Sequence, residues 1–253
     1  IQQGCDHRCT FCIIPYARGP NRSLSIEKII NSVKALVSNG TKEIVLTGVD
    51  ITSWGSDIFG KPSLGKLVCS ILKEVKSLPR LRLSSIDPAI NDSLLLDAFE
   101  TEPRLMPHLH LSIQHGNDII LKRMRRRHLR KDIYNLCEEI KKRRSNISFG
   151  ADIISGFPTE TQEAHNDTKA LLMDLNINFL HVFPFSIREG TPSARMPQVK
   201  KEIIKARAKE IRLLGIKNRE RYFEKRIGTT DMILVEKNNK GHLCGFEKAL
   251  IMS

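Results

Sequence analysis

Short β-branched, apolar runs alternate along this chain with stretches of helical period, and that alternation limits its possible folds more than any other feature. The strand-like runs are Glu43–Thr47, Leu81–Ile86, His108–Gln114, Ser148–Ile154 and Phe179–Phe185, with Ile1–Gln3 as the tail of another. Between them, Ser25–Ser38, Ser63–Ser77, Asp92–Glu100, Lys131–Arg144 and Thr161–Asn176 carry apolar residues at helical spacing. Consecutive β–α steps predict a parallel sheet with helices outside, because parallel strands need crossover connections. Such units in series, with one class of turn chemistry, predict an α/β fold of the partial (β/α)6 TIM-like barrel type rather than a doubly wound sheet. In a parallel barrel the chemistry gathers where strands end. Thr47-Gly48-Val49-Asp50, Ser84-Ser85-Ile86-Asp87, Gln114-His115-Gly116 and Asp152…Gly156-Phe157-Pro158 each close a strand in that way.

After Pro192 and Pro197 the pattern changes. Val199–Arg226 reads as one long helix with 11 basic and 4 acidic residues, and Gly228 ends it. Asp231–Glu236 and Leu243–Ile251 read as a β-hairpin around Lys237-Asn238-Asn239-Lys240-Gly241. The expected division is a core domain over 1–226 and a small hairpin module over 227–253.

Composition narrows the function. The chain has 253 residues, with 41 Lys+Arg against 28 Asp+Glu, a net charge of +13. A sequence pI near 9.6 with few aromatics points to a polyanionic partner, nucleic acid first, since a basic surface attracts phosphate. No run approaches the roughly 18 apolar residues of a membrane span, so no membrane partner is expected. The 40% of apolar residues can build a sizeable core, which excludes a disordered chain.

Three of the six cysteines crowd into Gly4-Cys5-Asp6-His7-Arg8-Cys9-Thr10-Phe11-Cys12. Thiols so close in sequence read as a metal site in a reduced, cytoplasmic setting, not a disulfide framework. Structural zinc wants four protein ligands. Three on one short loop instead suit a cubane iron–sulfur cluster with one iron left open. His7 as a fourth ligand keeps zinc as the alternative. Cys69 and Cys137 sit on apolar helix faces and read as core thiols. The chain starts at Ile1, four residues before this loop, so further chain is expected upstream.

The spacing Cys5-x3-Cys9-x2-Cys12, after a strand and before a helix, resembles the radical S-adenosylmethionine (SAM) superfamily. The resemblance extends through Cys12-Ile13-Ile14-Pro15-Tyr16-Ala17-Arg18-Gly19, Arg22-Ser23, His110-Leu111-Ser112-Ile113-Gln114 and Met124-Arg125-Arg126. Asp152-Ile153-Ile154-Ser155-Gly156-Phe157-Pro158-Thr159-Glu160-Thr161, His181-Val182-Phe183-Pro184-Phe185-Ser186, Arg188-Glu189-Gly190-Thr191-Pro192 and Met196-Pro197 complete it. Together these are similar to the methylthiotransferase branch. Leu46-Thr47-Gly48-Val49-Asp50-Ile51 and Arg82-Leu83-Ser84-Ser85-Ile86-Asp87-Pro88 are most similar to its threonylcarbamoyladenosine type.

That resemblance implies a radical SAM core that helps place a methylthio group on C2 of N6-threonylcarbamoyladenosine, beside the anticodon of tRNA. It implies a 4Fe-4S cluster on Cys5, Cys9 and Cys12, whose open iron binds SAM. Phe11, Thr47, Gly48, Ser85, Gln114, Arg127 and Asp152 would meet SAM. Arg18, Arg22, Arg123, Arg125 and Arg126 would meet the phosphates of the anticodon stem-loop; the last three fall in Lys122–Lys131, which holds seven Lys/Arg in ten residues. A reducing partner such as flavodoxin or ferredoxin, and a monomeric state, are expected. Family members also carry an N-terminal domain with a second, auxiliary 4Fe-4S cluster, and usually end in a β-barrel RNA-binding module (TRAM), of which 227–253 would be part. Glu160 is expected to open the following helix, where a carboxylate suits the positive dipole end. Competing readings are methylthiolation of another tRNA adenosine or of a ribosomal protein, and a non-catalytic zinc-containing RNA-binding module.

Overall fold

The computed structural model describes residues 1–236, 240–242 and 248–250. In chain order the elements begin with β1 (Gln2–Gln3), α1 (Ile14–Arg18), β2 (Arg22–Ser23), α2 (Ile26–Ser38), β3 (Glu43–Leu46) and α3 (Leu64–Glu74). They continue with β4 (Arg80–Leu83), α4 (Ser93–Thr101), β5 (His108–Gln114), α5 (Asp118–Arg123), α6 (Arg130–Arg143) and β6 (Ser148–Ser155). Then come α7 (Gln162–Asp174), β7 (Phe179–Pro184), α8 (Lys201–Glu224), β8 (Leu234–Glu236), β9 (Lys240–His242) and β10 (Lys248–Leu250).

Side-chain caps start most of the helices. Ser25, Ser63, Asp92, Asn117 and Thr161 each accept a backbone N–H of the first turn, which satisfies a donor that has no partner inside the helix. Behind the caps, apolar residues at helical spacing face the sheet: Leu67, Val68 and Ile71 of α3 are fully buried. Leu81, Leu83, Leu109, Leu111, Ile113, Ala151 and Ile153 meet them from the strands and form one continuous core.

Strands β3 and β4 pair in parallel, as do β5, β6 and β7. Single parallel bridges, Gln2 to Gly48 and Ile86 to Leu111, join β1 to β3 and extend β4 onto β5. The result is a curved, open, six-stranded parallel sheet in the order β1-β3-β4-β5-β6-β7. Among the described residues no pairing closes β7 onto β1. Helix α8 packs along β7, where Gly215 lets Leu180 approach so closely that a Cβ would meet it at 3.1 Å. No described helix is long and apolar enough to cross a membrane.

Two short helices escaped the sequence reading, α1 and α5. The C-terminal hairpin also differs: β8 and β10 both pair antiparallel with β9, so three short strands replace two. Lys240 and Gly241 read as turn because polar residues give a strand no apolar alternation. Part of the expected second arm, 243–247 and 251, lies outside the described residues, as does Cys244. Cys137 is fully buried, and burial pushes its thiol pKa up to about 12, which fits a core thiol.

Candidate active site

The cysteine loop runs between β1 and α1 over the C-terminal ends of the strands. The end of α5 clamps it: Thr10 donates its N–H to the Met124 carbonyl at 3.1 Å and its hydroxyl to the Arg123 carbonyl at 2.8 Å. The Ser193 N–H donates to the Thr10 carbonyl at 3.0 Å from the other side. Phe11 anchors the loop in a small apolar cluster, edge-on to Phe157 with ring centroids 6.5 Å apart. These contacts come from distant parts of the chain, so the loop's shape depends on the finished barrel.

Cys5, Cys9 and Cys12 line one wall of a cavity of about 170 Å³. Phe11, Ile14 and Val49 give it apolar walls, and Ser85, Ser112, Gln114, Asp50, Asp87 and Arg126 give it polar ones. Larger surface grooves exist; one of about 650 Å³ between α2 and α3 is lined by Lys34, Lys42, Lys73 and Lys76 but has no thiol. Chemistry, not volume, selects the site. Burial raises the Cys5 thiol to about 11, and the neighbouring charges of Asp50, Cys9 and Cys12 add to the rise. Burial raises Cys12 too. Thiols held in their neutral form at physiological pH become thiolates only when a cation takes the place of the proton.

His7 does not point outward from the loop. Its Nε2 lies 2.6 Å from Asp50 Oδ2, and the Ser53 hydroxyl donates to the same oxygen at 2.6 Å. Burial opposes ionisation of Asp50, but the His7 and Ser53 hydrogen bonds outweigh it and hold the carboxyl below its usual range. His7 and Asp50 stand with Cys5 as a mixed donor set whose ligand atoms lie within 4.8 Å of one another, and the three thiols are the loop's soft donors.

Beneath the loop Asp87 gathers two guanidinium groups and an imidazole. Arg126 Nη2 lies 3.0 Å away, Arg127 Nη2 3.3 Å and His128 Nδ1 3.2 Å. Burial disfavours the carboxylate, yet the His128 hydrogen bond and the Arg126 charge reverse that and hold Asp87 far below the usual range. Arg126 spans the gap to the cysteines: Nη1 donates to Cys9 Sγ at 3.5 Å and Nη2 to the Ser112 carbonyl at 2.9 Å. Its side chain is only 8% exposed.

Of the residues expected to meet SAM, Phe11, Ser85 and Gln114 do line this cavity. Gln114 holds a left-handed φ of 68° at a bulge in β5, a strain of about 1–3 kcal/mol for a residue other than glycine. The other four stand elsewhere. Gly48 lies beneath β1, where a Cβ would sit 2.8 Å from the Gln2 carbonyl oxygen, and Thr47 precedes it off the cavity wall. Arg127 opens onto a neighbouring groove with Pro88 and Asn135. Asp152 is mid-strand, because β6 continues three residues further to Ser155, and its carboxylate meets His110 and His181 instead.

Among the expected phosphate contacts, Arg18, Arg22, Arg123 and Arg125 are exposed on this rim. Arg22 also donates to the carbonyl oxygen of Arg18 at 3.0 Å, and Arg123 to the Thr159 hydroxyl at 2.6 Å. Arg126 is the exception and faces inward. The signal was present: Met124, Arg126 and His128 turn in while Arg123, Arg125 and Arg127 turn out. Asp50, Asp87 and Ser112 were not singled out as site residues from the sequence.

Residues 1–172 match the Radical SAM superfamily. The chain belongs to that family. It is 49% identical over 246 residues to the threonylcarbamoyladenosine tRNA methylthiotransferase MtaB of Rickettsia prowazekii, covering 97% of this chain and 58% of that protein. It is 36% identical to the protein of the same name from Aquifex aeolicus, over 95% of this chain and 58% of the relative. A tRNA-2-methylthio-N(6)-dimethylallyladenosine synthase of Bartonella henselae is also 36% identical, over 97% and 54%. The chain thus spans little more than half the length of these curated relatives. Among solved structures, the radical SAM methyltransferase TsrM of Kitasatospora setae has a TM-score of 0.62 at 18% identity, covering 76% of this chain and 37% of that one. Coproporphyrinogen III oxidase of Escherichia coli has a TM-score of 0.59 at 15% identity, covering 85% and 51%. Both share the fold of the barrel.

Proposed function

We propose that this chain is the radical-generating core of a cytoplasmic tRNA methylthiotransferase acting on N6-threonylcarbamoyladenosine next to the anticodon. The observation that carries the proposal is the three-thiol loop on the wall of a half-polar cavity, in a chain 49% identical to MtaB along nearly its whole length. Residues 1–226 form the core, and 227–253 are read as part of an RNA-binding module.

The donor set fits a cubane cluster: three thiols on one loop, no fourth cysteine among the described residues lining the cavity, and space beside them. Cys5, Cys9 and Cys12 would hold it, and the open iron would chelate SAM. When bound, these groups supply one-electron chemistry that no acid–base side chain can, because an aromatic C–H is too weakly acidic for a general base. The chain's own residues do the rest. Arg126 holds the Cys9 sulfur and is itself fixed by Asp87. Ser85 and Gln114 offer hydrogen bonds to a hydroxyl or carboxylate in the cavity. Phe11, Ile14 and Val49 exclude water from it. Arg18, Arg22, Arg123 and Arg125 lie on the rim, where they would neutralise tRNA phosphates. A sulfur-delivering auxiliary cluster would have to be supplied from outside these 253 residues, and the electron by a flavodoxin- or ferredoxin-like partner, with the protein acting as a monomer.

Nucleoside mass spectrometry of tRNA from a strain lacking the gene tests this reading. The methylthio form of N6-threonylcarbamoyladenosine should disappear and return on complementation. Its persistence, with loss of the methylthio dimethylallyl form instead, would move the substrate to the other branch.

A further inference from the structure

A second donor set lies on the same sheet, apart from the cysteine cavity. Along β5, β6 and β7, Leu109, Leu111, Ala151, Ile153 and Leu180 face the helix-packed core. Strand alternation therefore turns His110, Asp152 and His181 to the opposite, inner face of the open barrel. Asp152 is in register with His181, and His110 with Gly150, so three neighbouring strands contribute one residue each.

Both imidazoles converge on one carboxylate oxygen. His110 Nε2 lies 3.0 Å and His181 Nδ1 3.2 Å from Asp152 Oδ1, and the possible ligand atoms all fall within 4.8 Å of one another. The convergence depends on residue 150 being glycine. A Cβ there would stand 2.4 Å from His110 Nδ1, so any other residue would push the ring off its path to Asp152. Of the basic side chains around the set, Arg82 of β4 is held by Glu43 at 3.0 Å, and Arg212 of α8, which shares a groove with His181 and Arg219, donates to the Val182 carbonyl at 3.0 Å.

We propose that His110, Asp152 and His181 form a binding site for a divalent transition-metal ion, separate from the cysteine loop. Two imidazole nitrogens and one carboxylate oxygen suit Zn²⁺, Co²⁺ or Ni²⁺, whereas Mg²⁺ and Ca²⁺ prefer oxygen-only sets. One carboxylate with two neutral imidazoles carries a single negative charge, so a dication is attracted and leaves net positive charge behind. Three protein ligands leave a tetrahedral ion one position open. The His181 side chain is 64% exposed, so that position faces solvent on the inner face and would accept an oxygen donor. Without an ion, the histidines satisfy themselves on Asp152.

Zinc titration calorimetry on the full chain tests the proposal, with Cys5, Cys9 and Cys12 all changed to Ser so that the loop cannot compete. One equivalent of Zn²⁺ should bind, and H181A and D152N should each weaken it at least tenfold. His181 is exposed, so H181A leaves the core intact, and circular dichroism checks this. Co²⁺ bound to the same background should give the ligand-field spectrum of a nitrogen–oxygen site that H181A abolishes. In the iron-reconstituted wild type, zinc should add to the iron, and H181A should lose only the zinc. No saturable zinc binding in the serine background, or binding unchanged in H181A, overturns the proposal without touching the reading of the cysteine loop.

Discussion

Two buried carboxylates in this protein have nearly the same company and do different work. Asp87 is surrounded by Arg126, Arg127 and His128. Glu160 accepts from the Gly156 N–H at 2.7 Å and from Arg207 Nη1 at 3.0 Å, with His115 Nε2 at 3.2 Å. Burial opposes ionisation of both, and in both the histidine and arginine partners win, so each carboxyl sits below its usual range. The Asp87 group borders the cysteine cavity and reaches Cys9 through Arg126. Among the described residues the Glu160 group borders no thiol; Arg207 comes from α8, so this ion pair ties that helix to the turn between β6 and α7. The same charge chemistry is a support for reactive groups in one place and a fastening in the other. What each cluster faces decides which.

The contrast breaks most sharply at Arg207. Arg207→Ala leaves Glu160 buried without its cation, and denaturant unfolding should show a loss of about 3–5 kcal/mol. Iron bound per folded chain should stay unchanged. At Arg126 the balance reverses: Arg126→Ala leaves Asp87 with His128 and Arg127, so the stability cost is smaller, about 1–3 kcal/mol. Iron retained after anaerobic reconstitution and gel filtration should fall clearly below wild type. If Arg207→Ala lost iron and Arg126→Ala did not, the assignment of the two clusters would be reversed.

A smaller effect separates them by pH. Because the folded Glu160 carboxyl lies below its usual value, its contribution is complete above about pH 4.3, the ordinary glutamate value, and is lost as pH falls towards the folded pKa. Thermal melts between neutral pH and pH ~3.5 should therefore drop less steeply in Glu160→Gln than in wild type. Arg125→Ala should have the smallest effect on the fold, within about 0.5 kcal/mol, since the side chain is exposed and touches neither cluster. It should nevertheless weaken tRNA binding and lower the salt slope of that binding by about one.

Much of the barrel was legible because strand and helix periods are local properties. His108–Gln114 was read to the residue and the other strands of the parallel sheet to within three, while the short antiparallel strands β2 and β9 were missed. The cysteine loop was legible for the same reason, since its three thiols lie within eight residues of chain. What depended on distant partners was not. The run Lys122–Lys131 read as a phosphate-binding face, yet Asn117 caps α5 within its approach, and Met124, Arg126 and His128 turn inward against the loop and Asp87. Glu160 read as a helix-opening carboxylate, but Thr161 caps α7, and Glu160 folds back to His115 and Arg207. The close approach of β1 to Gly48, which no local pattern announces, requires a glycine there.

Anaerobic reconstitution with iron and sulfide, then reduction in the presence of SAM and an assay for 5′-deoxyadenosine, tests the central claim most directly. A brown protein that cleaves SAM, with both properties lost in Cys9→Ala, is the predicted result. A colourless protein that keeps zinc on the cysteine loop and leaves SAM intact would contradict it.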